Sequence, residues 1–185
     1  MKRSLAVFGS LLLLAGLLGA APATGADTLD PATYAPAMSR RPAGDPLQTL
    51  GFQTSHIQIP AIGLDTPILE GVDMSVINQG VAHWVGTATA GGAGNMVLAG
   101  HRTTYGAPFG DLDDLQPGDV VYVTDGSGIP VLYKVTTTAI VEPEDVWITY
   151  DSGAPIVTMF ACHPKGSARY RIVVIAERAA PTPLF

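Results

Sequence analysis

One cysteine, four histidines and a pair of closely spaced arginines are the residues of this 185-residue chain whose types could do covalent chemistry. Cys162 lies in "IVTMFACHPKGSARYRIVVIAE", which runs from Ile156 to Glu177. As the only cysteine it has no partner for an intrachain disulfide. It is therefore an inert buried thiol, an intermolecular link or a reactive group. A reactive cysteine needs a neighbour that favours the thiolate or takes its proton, and histidine is the usual choice. His56 falls in an alternating segment and reads as a solvated surface residue. His83 precedes Trp84 in an expected loop, where packing or a hydrogen bond is the plain reading. His163 adjoins Cys162, but neighbours on a strand point to opposite faces unless the chain turns at Pro164. His101 ends the apolar run "NMVLAG" and opens the loop "HRTTYGAPFG", a junction where functional residues often sit. The bland alternative for His101 is a strand-end histidine bonded to backbone.

Acyl transfer by a thiolate also needs donors for the developing oxyanion. Arg169 and Arg171 share strand parity. Arg171 directly precedes the apolar run "IVVIAE" and is the better placed to be rigid; a surface arginine at a strand start is the alternative. Other chemistries find little support. Adjacent Cys162 and His163 have no second pair at ligand spacing, so no metal site is expected. "GGAGN" lacks the Lys-Ser/Thr of a phosphate-binding loop, and no Gly-x-Ser-x-Gly elbow precedes Cys162.

Short strands must position these residues. "SHIQIPAIGLDTPILEG" alternates as two strands with a turn near Gly63–Asp65. "DMSVINQG" has the signals of a helical turn, with Asp73 as N-cap and Gly80 as stop. "NMVLAG" reads as a buried strand and "PFGDLDDL" as a short helical turn. "DVVYVTD", "PVLYKVTTTAIVEP", "PIVTMFAC" and "YRIVVIAE" supply four more strands. With 21 glycines, 15 prolines and no long amphipathic helix, the pattern predicts a mostly β sandwich or closed barrel.

Composition bounds the setting. Hydrophobic residues make up 47% of the chain, enough for one domain with a real core. "MKRSLAVFGSLLLLAGLLGAAPATGAD" has a basic start at Lys2 and Arg3, an apolar run and small residues at Ala21, Ala23 and Ala26. Residues 1–26 are expected to act as a cleaved signal peptide or a retained membrane anchor, and either exports the rest. Without them the chain keeps 8 basic and 16 acidic residues, a net charge of −8. Such an acidic body argues against a nucleic-acid partner. Residues 27–53, with four prolines, read as a linker. The folded part spans 54–178, with a tail over 179–185.

In combination, "NMVLAGHRTTYGAPFGDLDDLQPGD" and "VTMFACHPKGSARYRIVVIAE" resemble the bacterial sortases, most closely the actinobacterial housekeeping type called class E. "IPAIGLDTPILEG" and "GVAHWVGTATAGGAGN" resemble the upstream segments, so the likeness runs from His56 to Glu177. The resemblance implies a closed barrel of about eight strands. It implies His101, Cys162 and Arg171 as catalytic residues, with Thr158 and Ala161 at motif positions toward the substrate. Tyr105 follows His101 in a loop expected to border the groove, where its ring would pack on the peptide; a solvated loop tyrosine is the alternative. The family's Thr-Leu-x-Thr-Cys reads here Thr158-Met159-Phe160-Ala161-Cys162, so a hydroxyl before the nucleophile is missing. The implied reaction is transpeptidation at a C-terminal Leu-Pro-x-Thr-Gly-like or Leu-Ala-x-Thr-Gly-like motif, without a cofactor. Its partners would be exported proteins bearing that motif, an amine of a peptidoglycan precursor, and the membrane through the N-terminal segment. An L,D-type cysteine transpeptidase lacks its Ser-x-Gly-Cys-x-Arg context here. A decayed, sortase-like binding module is the non-enzyme alternative.

Overall fold

The computed structural model of the protein describes residues 53–124 and 127–180. The expected N-terminal segment, the linker before Gln53 and most of the expected tail lie outside the described residues.

Eight strands form a closed barrel: β1 (Gln53–Ile59), β2 (Leu64–Glu70), β3 (Val81–His83), β4 (Asn95–Ala99), β5 (Val120–Thr124), β6 (Pro130–Val141), β7 (Ile156–His163) and β8 (Tyr170–Arg178). Their order around the barrel is β1-β2-β3-β4-β7-β8-β6-β5, closed by β5 on β1. β2–β3 and β4–β7 are parallel and the other pairs antiparallel. This is the mostly β barrel expected above. The turn near Gly63 is a 3-10 turn over Pro60–Ile62, ended by Gly63 at φ +63°, a left-handed conformation that favours glycine. The segment after Asp73 forms a single helical turn, α1 (Met74–Ile77), and a second 3-10 turn covers Leu112–Asp114. The sequence reading differs at two places. His83 belongs to β3 rather than to a loop, because three buried residues suffice to bridge β2 and β4. A 3-10 turn at Val146–Thr149 was also not anticipated.

Alternation decides which side chains fill the barrel. Met96 and Leu98 of β4, Val157, Met159 and Ala161 of β7, and Ile172, Val174 and Ala176 of β8 are buried in its core. Their neighbours turn outward. Ile156, Val173 and Ile175 pack outside with Trp147 and Ile148 of the Val146–Thr149 turn. In β6 the register shifts between Val135 and Thr137. Val135 is therefore inside, while Ala139 and Val141 join the outer cluster.

This division orients the candidate site. β4 is buried on both faces, so a one-residue slip would put Asn95 and Val97 in the places packed by Met96 and Leu98 and would swing His101 to the other face. Just past β4 the backbone continues its pairing, with Gly100 N–H donating to Phe160 O (3.3 Å). Phe109 then folds back, its N–H donating to His101 O (3.0 Å), and its fully buried ring lies on Gly100. A Cβ on Gly100 would stand 2.7 Å from Phe109 Cδ2. Gly100→Ala is expected to displace that ring and cost about 1–3 kcal/mol, as overpacking does. Chemical denaturation of the two proteins measures this, and equal midpoints would show that the contact has slack.

Candidate active site

Cys162 and Arg171 lie on the neighbouring strands β7 and β8, and His101 stands two residues past the end of β4, which pairs with β7. Cys162 is the register partner of Arg171 across the antiparallel pair β7–β8. In the parallel pair β4–β7 the register ends with Ala99 beside Phe160; His101 follows Ala99 by two residues as Cys162 follows Phe160. All three have the parity opposite to the core residues of their own strands, so they stand outside the barrel at one end. Cys162 and His101 are half-buried, which suits a nucleophile that must stay reachable.

His101 is held from two sides. Its Nε2–H donates to Asn78 Oδ1 (2.8 Å), just past α1. Nε2 is thereby committed as a donor, and Nδ1 is the ring nitrogen left without a partner among the described residues. Tyr105 stacks on the other side, with ring centroids 4.9 Å apart and planes inclined by 32°. Tyr105 is 59% exposed and has φ +50°; Ala107 has φ +45°. Two non-glycine residues in the left-handed region cost of order 1–3 kcal/mol each, strain that tends to collect where function needs a particular loop shape.

Arg171 is steered by the turn before β8. Its Nη1 donates to Ala168 O (2.9 Å) and Tyr170 O (3.0 Å), which leaves Nε and Nη2 without partners among the described residues. Arg169 is exposed and lies over the Tyr170 ring, 5.0 Å from its centroid. The two arginines are therefore held differently, and Arg171 is the register partner of Cys162. On the same outer face, half-buried Phe160 packs against Trp84 (6.2 Å between centroids) and gives the site an apolar floor.

The other expected site residues lie elsewhere. Ala161 is buried inside the barrel, so a hydroxyl at this position would point into the core rather than to a ligand on the outer face. Thr158 is only 1% exposed, and its Oγ1 has no hydrogen-bond partner. Ala161 therefore packs beneath the site, whereas Thr158 shares the outward parity of Phe160 and Cys162 and is covered there. His163 has inward parity, as strand geometry predicts. His83 binds Glu70 Oε2 through Nδ1 (2.9 Å) and Ala88 O through Nε2 (3.0 Å), fastening the β3–β4 loop. His56 pairs with Asp65 (3.0 Å) near the surface. Among the described residues no group of three or more His, Cys, Asp or Glu side chains is gathered as metal ligands would be.

Sequence reasoning missed Asn78 and Arg102. Asn78 is distant in sequence from His101 and carries no local signal. Arg102 directly follows His101, and a charge at the end of an apolar strand was a signal available for it. Its guanidinium is 3% exposed and bonded to Gly110 O (Nε, 3.0 Å), His163 Nδ1 (Nη1, 2.9 Å) and Asp113 Oδ1 (Nη2, 2.6 Å).

An eight-stranded barrel with a cysteine, a histidine and an arginine converging outside one end defines a class of protein, and comparison with known proteins agrees. The family model described as "Sortase domain" matches residues 57–179, and the chain belongs to the sortase family. Sortase SrtE1 of Streptomyces coelicolor is 29% identical over 148 residues, covering 72% of this chain and 42% of that protein. The chain thus spans less than half the length of this curated relative. The solved structure of sortase E from Streptomyces avermitilis aligns with a TM-score of 0.62 at 31% identity, over 71% of this chain and 91% of that one. A Clostridium perfringens protein described as a sortase D5 transpeptidase aligns with a TM-score of 0.64 at 27% identity, over 69% and 79%. The sortase E relatives agree with the class E likeness seen in the sequence.

The geometry separates the two arginines in a measurable way. Arg171→Lys keeps the charge but loses the planar fork, and should lower the kcat for peptide cleavage by roughly 10²–10³, the usual loss for one oxyanion donor. Arg169→Lys should change it little. The reverse ranking in a cleavage assay would move the donor role to Arg169.

Proposed function

We propose that the protein is an exported sortase-type cysteine transpeptidase. The observation that carries this reading is the meeting of Cys162, its register partner Arg171 and His101 on the outer face of one barrel end. The Cys162 thiolate attacks the threonine carbonyl carbon of a C-terminal Leu-Pro-x-Thr-Gly-like or Leu-Ala-x-Thr-Gly-like motif. Negative charge builds on the carbonyl oxygen, and the free Nε–H and Nη2–H of Arg171 are its donors. The Thr–Gly C–N bond breaks as His101 passes its Nδ1 proton to the leaving glycine amine. The product is a thioester on Cys162. An amine of a cell-wall precursor attacks it, gives up a proton to His101 and leaves in a new amide bond, with Cys162 returned as thiolate. No redox partner enters this balance.

The position of the site agrees with a peptide ligand. The outer face is open to solvent at Tyr105 and half-open at Phe160 and Trp84, so an extended peptide has a floor of aromatic rings. Export by residues 1–26 would put the enzyme on the outer face of the bacterial membrane. No helix of the described residues is long and apolar enough to cross a membrane, and that segment lies outside them.

Incubation with a sorting-motif peptide tests the reading. Mass spectrometry of the wild-type protein should show an acyl adduct on Cys162, while Cys162→Ala should form none and cleave nothing. His101→Ala should lose about 10²–10⁴ in rate, as removal of a general acid does. Turnover by the Cys162→Ala protein would sink the mechanism, and a Cys162 inert to every peptide and alkylating agent would favour the binding-module alternative.

Tyr105 supplies a second test. Its strained backbone, its exposure and its stacking on His101 suit a ring that packs on the bound peptide. Tyr105→Ala should raise KM or alter the preference at the second motif position. Unchanged kinetics across peptides with Pro and with Ala there would reduce Tyr105 to a support for His101.

A further inference from the structure

We propose that Arg102 and His163 form a half-buried clamp under the site, one that sets His101 against Cys162 only while His163 is neutral. The inference rests on the transpeptidase reading for its activity readout alone. The same strand alternation that sends His101 and Cys162 outward sends the residue after each of them inward. Arg102 and His163 thus meet at the mouth of the barrel, Nη1 to Nδ1 at 2.9 Å. One hydrogen bond on the inside therefore joins the two backbone segments that carry the candidate acid and nucleophile on the outside.

The direction of that bond fixes a protonation state. A guanidinium only donates, so His163 Nδ1 must accept, and the ring is the neutral tautomer with its proton on Nε2. The surroundings favour that form. Burial first, then the Arg102 charge, push the His163 ring below its ordinary value, against an opposing pull from Asp113. The charged groups around it are Arg102 from the segment after β4, Asp113 from the Leu112–Asp114 turn, and Lys165 from its own turn, the last bonded to Asp111 (2.8 Å). Its cross-strand partner is Tyr170. The Asp113 carboxyl is pushed up by partial burial, but a backbone hydrogen bond and the Arg102 charge outweigh this and hold it below its usual value. Asp113 thus stays an anion and keeps Arg102 in place.

Acid undoes the arrangement. Protonation puts a hydrogen on Nδ1, removes the acceptor and sets two cations in contact. The sign follows from the lowered value. Below the ordinary histidine range the unfolded chain binds more protons at this residue than the folded one. The clamp therefore contributes in full above that range and is lost as the pH falls through the lowered folded value. Arg102 and His163 touch no reacting atom and act through His101 and Cys162, so they are positioning residues.

Two readouts across pH test this on the wild type, His163→Asn and His163→Leu. One is cleavage of a sorting-motif peptide, with kcat and KM separated. The other is the rate at which iodoacetamide alkylates Cys162, which needs no substrate and has a single target in this chain. The Asn amide oxygen stands close to where Nδ1 was, accepts from Arg102 and does not titrate. His163→Asn should retain most of the neutral-pH kcat, and the acid-side decline in both readouts should move to lower pH. His163→Leu removes the acceptor at every pH and should lower kcat about 10- to 100-fold with KM little changed, in line with a displaced reacting group. Acid limbs of wild type and His163→Asn that coincide in both readouts overturn the clamp, and so does a wild-type kcat in a folded His163→Leu. If His163→Leu does not fold, the Asn comparison decides. If the wild type cleaves no peptide, the transpeptidase reading fails, and the alkylation profiles still decide whether the clamp exists.

Discussion

The two-residue repeat of three neighbouring strands is the constraint on which the site depends. β4, β7 and β8 each send one set of side chains into a dry core and the other set outward. The core residues are ordinary: methionine, leucine, valine, alanine, isoleucine. Their burial locks the register, and the register then decides what stands at the strand ends. His101, Cys162 and Arg171 take their places from this register. They meet because Met96, Leu98, Met159, Ala161, Ile172 and Val174 have to be inside. The stability of the barrel and the geometry of the chemistry are one constraint seen from two sides.

Polar groups then refine what the apolar pattern sets coarsely. Outside, Asn78 commits one nitrogen of His101, and two turn carbonyls hold one arm of the Arg171 fork. Inside, Arg102 takes three partners where the barrel opens. A buried guanidinium is costly unless its donors are met, and removing one partner of such a group is far more damaging than its net contribution suggests. The loop from His101 to Leu115 is therefore not free to drift, although its tip at Tyr105 is exposed. Phe109 closes on Gly100 and Asp113 on Arg102, so the backbone strain at Tyr105 and Ala107 is sustained from both ends.

Much of this was legible in the sequence because strands advertise themselves locally. Alternation in Ile57–Ile59 and the apolar runs around Val97, Val157 and Val173 predict their strands and, through parity, the separation of Cys162 from His163. Arg171 could be preferred over Arg169 from the apolar run that follows it. What was not legible depends on contacts between distant segments. β3 is three residues long, too short for a period to show, and exists because β2 and β4 flank it. Asn78 lies on a helical turn whose sequence says nothing about His101. Ala161 misled for a different reason. A motif aligned by position suggested a contact with substrate, whereas parity, applied to the residue before Cys162, already pointed it inward.

That last point bears on how the chain departs from its family's pattern. A residue that precedes an outward nucleophile on a regular strand must face the core, so its polarity matters to packing rather than to a ligand. Threonine at the position of Ala161 would bring a hydroxyl into a cluster of Met159, Ile172 and Val174, where it would need a hydrogen-bond acceptor or cost about 1–3 kcal/mol. Alanine avoids that requirement and leaves space for its neighbours. The substitution is thus compatible with a working Cys162, because nothing on the outer face changes with it. The departure that looked like loss of a substrate contact is a change in the barrel lining, on the opposite side of the backbone from the chemistry.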